Sequence, residues 1–137
     1  MSWQEDLADH IVDAFMVDGV TWATGTNVVI GPPEDDDVTD DLCIGLVSRP
    51  GPIDETYGAV YGRPNLTVVV RSAVRNPKQA EEISTALFVF LTKIANATVG
   101  TTALLRLEPL AWPGRLRRDA SFRTDYTSEI GVWLDEQ

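Results

Sequence analysis

The chain has 137 residues, 44% of them apolar and 23% charged, a balance that suits one domain with its own hydrophobic core. Its formal charge of −10 is unevenly divided: residues 1–48 carry 11 of the 21 acidic side chains and none of the 11 Lys and Arg, which is −11 there and +1 over the rest. That balance excludes a clamp that holds duplex DNA through Lys and Arg. No apolar run approaches the roughly 20 residues of a membrane span, no export signal is visible, and the single cysteine, Cys43, allows no internal disulfide.

Ser2-Trp3-Gln4-Glu5 has the capping-box pattern, and Trp3, Leu7, Ala8, Ile11, Val12, Phe15 and Met16 fall at helical spacing as one apolar stripe. The spacing predicts a helix over 2–17, stopped by Gly19, with Glu5, Asp6, Asp9 and Asp13 mainly on its wet side. Asn27 to Ile30 reads as a short strand. Gly31-Pro32-Pro33 ends it, and six acids crowd into positions 34–41, which turn chemistry and self-repulsion mark as a loop. Leu42 to Val47 is an uncharged β-like run, suited to cover on both faces. Three prolines and three glycines between 50 and 64 predict a long irregular connection over 49–64, poorly ordered in an isolated subunit like 31–41.

Leu66 to Arg71 is the clearest strand, rich in β-branched residues. Asn76-Pro77 supplies a cap and a first-turn proline for a second helix over 77–95, striped by Ala80, Ile83, Leu87, Phe90, Leu91 and Ile94. Residues 103–108 alternate as a half-buried strand that Pro109 closes, and 110–120 reads as a connection carrying Arg115, Arg117 and Arg118. A last strand places Phe122, Tyr126, Ile130, Val132 and Leu134 on one face and Arg123, Asp125, Thr127 and Glu129 on a wet one. The fold expected is α+β: a mostly antiparallel sheet of about five strands with two amphipathic helices on one face, in a single domain spanning 1–137.

Catalytic chemistry is sparse. His10 is the only histidine and reads as a solvated or salt-bridged helix residue, since a transition-metal site needs further His or Cys ligands. Cys43 falls inside a predicted strand, where cysteine acts as a small buried hydrophobe. The acidic loop lacks the alternating ligands, central Gly and distal Glu of a calcium loop, and the glycines fit no phosphate-binding pattern. No enzyme activity, cofactor or metal is expected. The basic trio reads either as a solvated turn or as an anchor for a neighbour's carboxylates, which Arg grips bidentately.

The segment Cys43-Ile44-Gly45-Leu46-Val47-Ser48-Arg49-Pro50-Gly51-Pro52-Ile53-Asp54-Glu55-Thr56-Tyr57-Gly58 resembles the small tail terminator proteins of long, non-contractile-tailed bacteriophages, also known as minor capsid or head–tail joining proteins. The likeness continues through Pro64-Asn65-Leu66-Thr67-Val68-Val69-Val70-Arg71-Ser72 and returns at Glu108-Pro109, Gly114 and the strand beginning near Arg118 and Phe122. It is a likeness of pattern and element order. It implies a structural virion protein, made in the host bacterial cytoplasm and located at the tail–head junction. Such proteins form a ring, typically a hexamer, on the finished tail tube, stop tube polymerisation and present a surface to the head-completion or neck protein. The implied partners are further copies of the chain, the major tail tube protein and the neck protein. DNA passes through the channel without specific binding, and no membrane is involved.

On that reading the subunit interface draws on Arg49, Arg115, Arg117 and Arg118 against Glu34, Asp40 and Asp41, because the first third has no internal counter-charge. Acids that repel DNA border the channel, from the loop (Asp35, Asp36, Asp37) or from helix one (Glu5, Asp6, Asp9, with Asp13). A competing reading is an acidic DNA mimic that inhibits a nucleic-acid-binding enzyme, its first third imitating a run of phosphates.

Overall fold

The computed structural model describes residues 2–32, 42–49, 53–56, 59–62, 64–73, 76–118 and 123–135, with the backbone alone at 53–56, 59–62 and 116–118. The chain order is α1 (Trp3–Ala14), β1 (Val28–Ile30), β2 (Cys43–Arg49), β3 (Ile53–Thr56), β4 (Ala59–Gly62), β5 (Asn65–Arg71), α2 (Pro77–Thr92), β6 (Ala95–Val99), β7 (Thr102–Arg118) and β8 (Thr124–Leu134).

Both helices start where the sequence places them. Ser2 Oγ accepts from the Glu5 amide at 3.2 Å, and Asn76 Oδ1 accepts from the Gln79 amide at 3.3 Å ahead of Pro77. Each ends early. Phe15 leaves the helical conformation, and its ring packs on Trp22 and Phe90 instead of continuing the α1 stripe. Gly19 is therefore not the stop: it supplies a φ of 78° to the tight turn between Val17 and Val20. In α2, Thr92 Oγ1 donates back to the Phe88 carbonyl at 2.8 Å, and the chain then turns into β6.

The sheet has eight strands among the described residues, three more than expected. It runs β1–β2–β5–β8–β7–β6, antiparallel except for the parallel pair β1–β2. The expectation of an irregular 49–64 is overturned: β3 and β4 form a hairpin inside it. β2 and β5 pair from Cys43↔Arg71 to Arg49↔Asn65, and β3 and β4 continue that ladder from Ile53↔Gly62 to Thr56↔Ala59. β2–β5 and β3–β4 are thus the two halves of one long hairpin, set one residue out of register with each other. Its outer half touches β8 by one register pair, Gly62↔Leu134.

Pro109 does not close a strand. β7 runs 17 residues through both Pro109 and Pro113, with register shifts along its ladder to β8. Among the described residues β6 covers β7 only as far as Arg106, so beyond it β7 is an edge strand, where proline and bulges are tolerated. The connection expected over 110–120 is therefore mostly strand.

One apolar cluster unites both helices with Ile44, Leu46, Leu66, Val68, Val70, Ile130, Val132 and Leu134. Strand alternation turns Cys43, Thr67, Arg71 and Asp125 to the opposite face. That face is not the wet one expected for β8: Arg123 and Asp125 are buried, and Thr127 and Glu129 are half-buried.

Candidate functional site

The end of the sheet at which β2 begins gathers most of the buried charge. Cys43, Arg71, Asp125 and Arg117 are successive register partners across β2, β5, β8 and β7. In that row Arg71 Nε donates to Asp125 Oδ1 at 2.9 Å and Nη2 to Oδ2 at 3.3 Å, both side chains being buried. Arg123, also buried, adds a further cation nearby. Burial pushes the Cys43 thiol up to about 11, with the neighbouring Arg71 opposing. A buried thiol held protonated is a poor nucleophile.

Sequence reasoning missed this pair. The available signal was a charged residue ending the apolar strand Leu66–Val70, opposite an acid in a strand that pairs with it. Asp125 was assigned to water because alternation alone cannot tell that both faces of a strand are covered.

α1 carries a second polar centre. Asp6, expected as a channel-lining acid, is buried, and this corrects the assignment. Its Oδ2 accepts from Thr102 Oγ1 at 2.6 Å, Thr101 Oγ1 at 3.0 Å and the Thr101 amide at 3.2 Å. The Thr102 hydroxyl, opposed by desolvation and aided by Thr101, holds the Asp6 carboxyl below its usual range. Asp6 is a latch between α1 and the β6–β7 turn, not a group that faces DNA. Asp9 is half-buried and accepts from Thr24 Oγ1 at 2.9 Å, while Glu5 and Asp13 are exposed.

The other expected interface residues are spread out. Arg49 ends β2 and is exposed, and Arg115 is exposed on β7. Arg117 and Arg118 lie at the far end of β7, in register with Asp125 and Thr124; their side chains are outside the described atoms. Glu34, Asp35, Asp36, Asp37, Asp40 and Asp41 lie outside the described residues. The chain re-enters at Leu42, next to the row that holds Arg117. Three strand spacings, roughly 14 Å, separate the backbones of β2 and β7 there.

His10 is not solvated as a free helix residue: its ring stacks on Phe90 with centroids 5.5 Å apart. Among the described residues no group of three or more His, Cys, Asp or Glu could hold a metal ion, and no helix is long and apolar enough to cross a membrane.

Where the C-terminal half of α2 meets the middle of β7, an apolar patch is exposed. Trp112 packs edge-on against Phe88 at 5.3 Å yet is 65% exposed, beside Leu110 and Val89. With Thr92 and Pro109 they line a groove of about 370 Å³. A Trp-Pro-Gly sequence reads as a turn, so this patch was also missed. No protein-family model matches the chain, and no curated protein matches it either.

Proposed function

We propose that this chain is a structural subunit of a long-tailed bacteriophage, a tail-terminator-like protein that caps the finished tail tube as a ring, ends its polymerisation and offers an attachment surface to the neck. The observation that carries the reading is the long hairpin of residues 43–71. It coincides with the stretch on which the resemblance is densest, and its outer half, β3–β4, meets the rest of the sheet at a single register pair. A projecting hairpin of this kind suits a protein whose task is to contact a tube or a neighbouring subunit. The α+β sandwich beneath it holds the arm in place through the β2–β5 ladder and the apolar cluster. Arg49, exposed at the inner base of the arm, is available to the interface proposed for it.

The test is tube growth. The major tail tube protein of the same phage is polymerised with and without this chain, and the products are imaged by negative-stain microscopy. The expected result is a ring at one end of each tube and an arrest of elongation. Unchanged tube growth together with inhibition of a nuclease would overturn the proposal in favour of a DNA mimic.

A further inference from the structure

We infer that the groove between α2 and β7 docks an acidic amphipathic helix of a partner protein, its apolar face seated on Trp112 and its carboxylates held by Lys93 at one end and Arg115 at the other. The inference goes beyond the tube-capping proposal and does not rest on it.

Three of the five large hydrophobic side chains exposed among the described residues, Val89, Leu110 and Trp112, line this one groove. Clustered apolar surface of this kind marks an interaction site, and Trp is among the side chains that most often dominate binding energy.

The backbone places the two ends. Lys93 caps α2 with helical dihedrals, φ −83° and ψ −12°, so it stands one turn beyond Val89 on the same helix face. The carbonyl of the next residue, Ile94, accepts from the Leu107 amide at 3.2 Å, which sets Lys93 at the Leu107 end of the groove. Arg115 marks the other end. It is in register with Tyr126, which packs on the apolar cluster, so Arg115 leaves β7 on the side where α2 lies.

Charge selects the occupant. In a chain with 21 acids and 11 Lys and Arg, a cation without an acid beside it is the exception. Arg71, Lys78 and Arg106 pair with Asp125, Glu82 and Glu108. Lys93, Arg115 and, on β2, Arg49 are exposed and pair with no acid among the described residues. The first two bracket the groove, and no acid lines it among those residues. Glu81 and Glu82 lie about two turns before Val89 on α2 and bound the site on that side. Joining the groove to its own copy would set positive ends against positive ends. Two cations around an apolar centre are too few to grip a phosphate backbone, but they suit carboxylates, which Arg pairs strongly. The open edge of β7 is a poor template for an added strand, because Pro109 and Pro113 remove amide donors and the bulges twist it. The occupant therefore presents side chains, as an amphipathic helix does in a groove.

The test titrates the full chain into two labelled peptides of about three helical turns. Both have Leu at helical spacing along one face; one carries Glu at both ends and the other Lys. Fluorescence anisotropy should show saturable binding of the Glu peptide and much weaker binding of the Lys peptide. Trp112→Ala should weaken the Glu peptide by roughly tenfold or more. The exposed double variant Lys93→Glu/Arg115→Glu, whose circular dichroism should match the wild type, should prefer the Lys peptide. No binding of the Glu peptide at millimolar concentration overturns the inference. So does equal binding of the two peptides, or binding that neither variant changes. Displacement of the Glu peptide by a duplex oligonucleotide overturns it in favour of a nucleic-acid surface. A wild-type dimer that Trp112→Ala disperses overturns it in favour of self-association. None of these failures bears on tube capping, which the growth assay reads separately.

Discussion

Arg71 and Asp125 face each other in register across β5 and β8 and are joined by two hydrogen bonds, at 2.9 and 3.3 Å, with both side chains buried. Removing one partner of a buried ion pair leaves an uncompensated charge, which typically costs about 3–5 kcal/mol. Asp125→Leu should destabilise the chain by that amount in urea unfolding. The double variant Arg71→Met/Asp125→Leu should be more stable than Asp125→Leu alone, because no buried charge of the pair remains. A double variant less stable than either single one would show that the pair is worth more than an apolar replacement.

The Asp6 latch makes a pH prediction. Its carboxyl lies below the ordinary 3.8 in the folded chain, chiefly through the Thr102 hydroxyl. A group with a lowered folded pKa stabilises the fold fully above its unfolded value and loses that contribution as pH falls through the folded one. Asp6→Asn should therefore melt below the wild type at neutral pH. The gap should close as pH is lowered from 3.8 downwards. Thermal melts of both proteins across that range check it, and a gap that widens in acid would contradict the assignment.

Gly100 belongs to the same latch. Its φ is +60°, and a Cβ there would come within 2.5 Å of Asp6 Oδ1. Gly100→Ala should destabilise by more than about 1 kcal/mol, the usual range for a left-handed glycine replaced without relief. Gly114, with nothing within 4 Å of its Cβ position, is the control. Gly114→Ala should stay within about 0.5 kcal/mol of the wild type. The loss at Gly100 should shrink when Asp6 is also replaced by Ala, because the two sites share one contact.

The features legible in the sequence are those set by local chemistry. Ser2 and Asn76 announce the helix starts, and the β-branched run before Arg71 announces β5. The α+β class and the predominantly antiparallel pairing follow from the order of such signals. What failed depends on neighbours. Pro109 ends a strand that has partners on both sides, but among the described residues β7 has only β8 beside it there, so the strand continues. Ile94 extends the apolar period of α2, yet the helix ends at Thr92 and the chain turns into β6. Asp6 has the sequence context of a solvent acid, and it is buried because two threonines 95 and 96 residues away meet its carboxylate. The exposed apolar patch was hidden for the same reason: Trp112 reaches it through its position over Phe88, which no local pattern encodes.

Cys43 offers a probe of global opening. Its side chain is fully buried, and its thiol is raised to about 11 by that burial. At pH 8 only about a thousandth of such a thiol is ionised, and the thiolate is the reactive form. A thiol-specific reagent should therefore label the folded chain only as fast as it unfolds, and label it at once in urea. Rapid labelling under native conditions would mean that β2 opens by itself, and that the row from Cys43 to Arg117 is not part of the stable core.

The last prediction separates surface from core within α2. Leu87 is fully buried in the apolar cluster, and Trp112, though it touches Phe88, the next residue of α2, is mostly exposed. Leu87→Ala removes buried methyl groups and leaves a cavity, so it should lower stability by about 2–5 kcal/mol. Trp112→Ala gives up one edge-to-face contact, worth about 0.5–1.5 kcal/mol, and little burial. Chemical denaturation of the two variants at low protein concentration should reproduce that order. If Trp112→Ala proves as damaging as Leu87→Ala in the isolated chain, then Trp112 is a structural residue that fastens β7 to α2. The smaller loss would mean that its indole is spare surface, left free to be covered from outside.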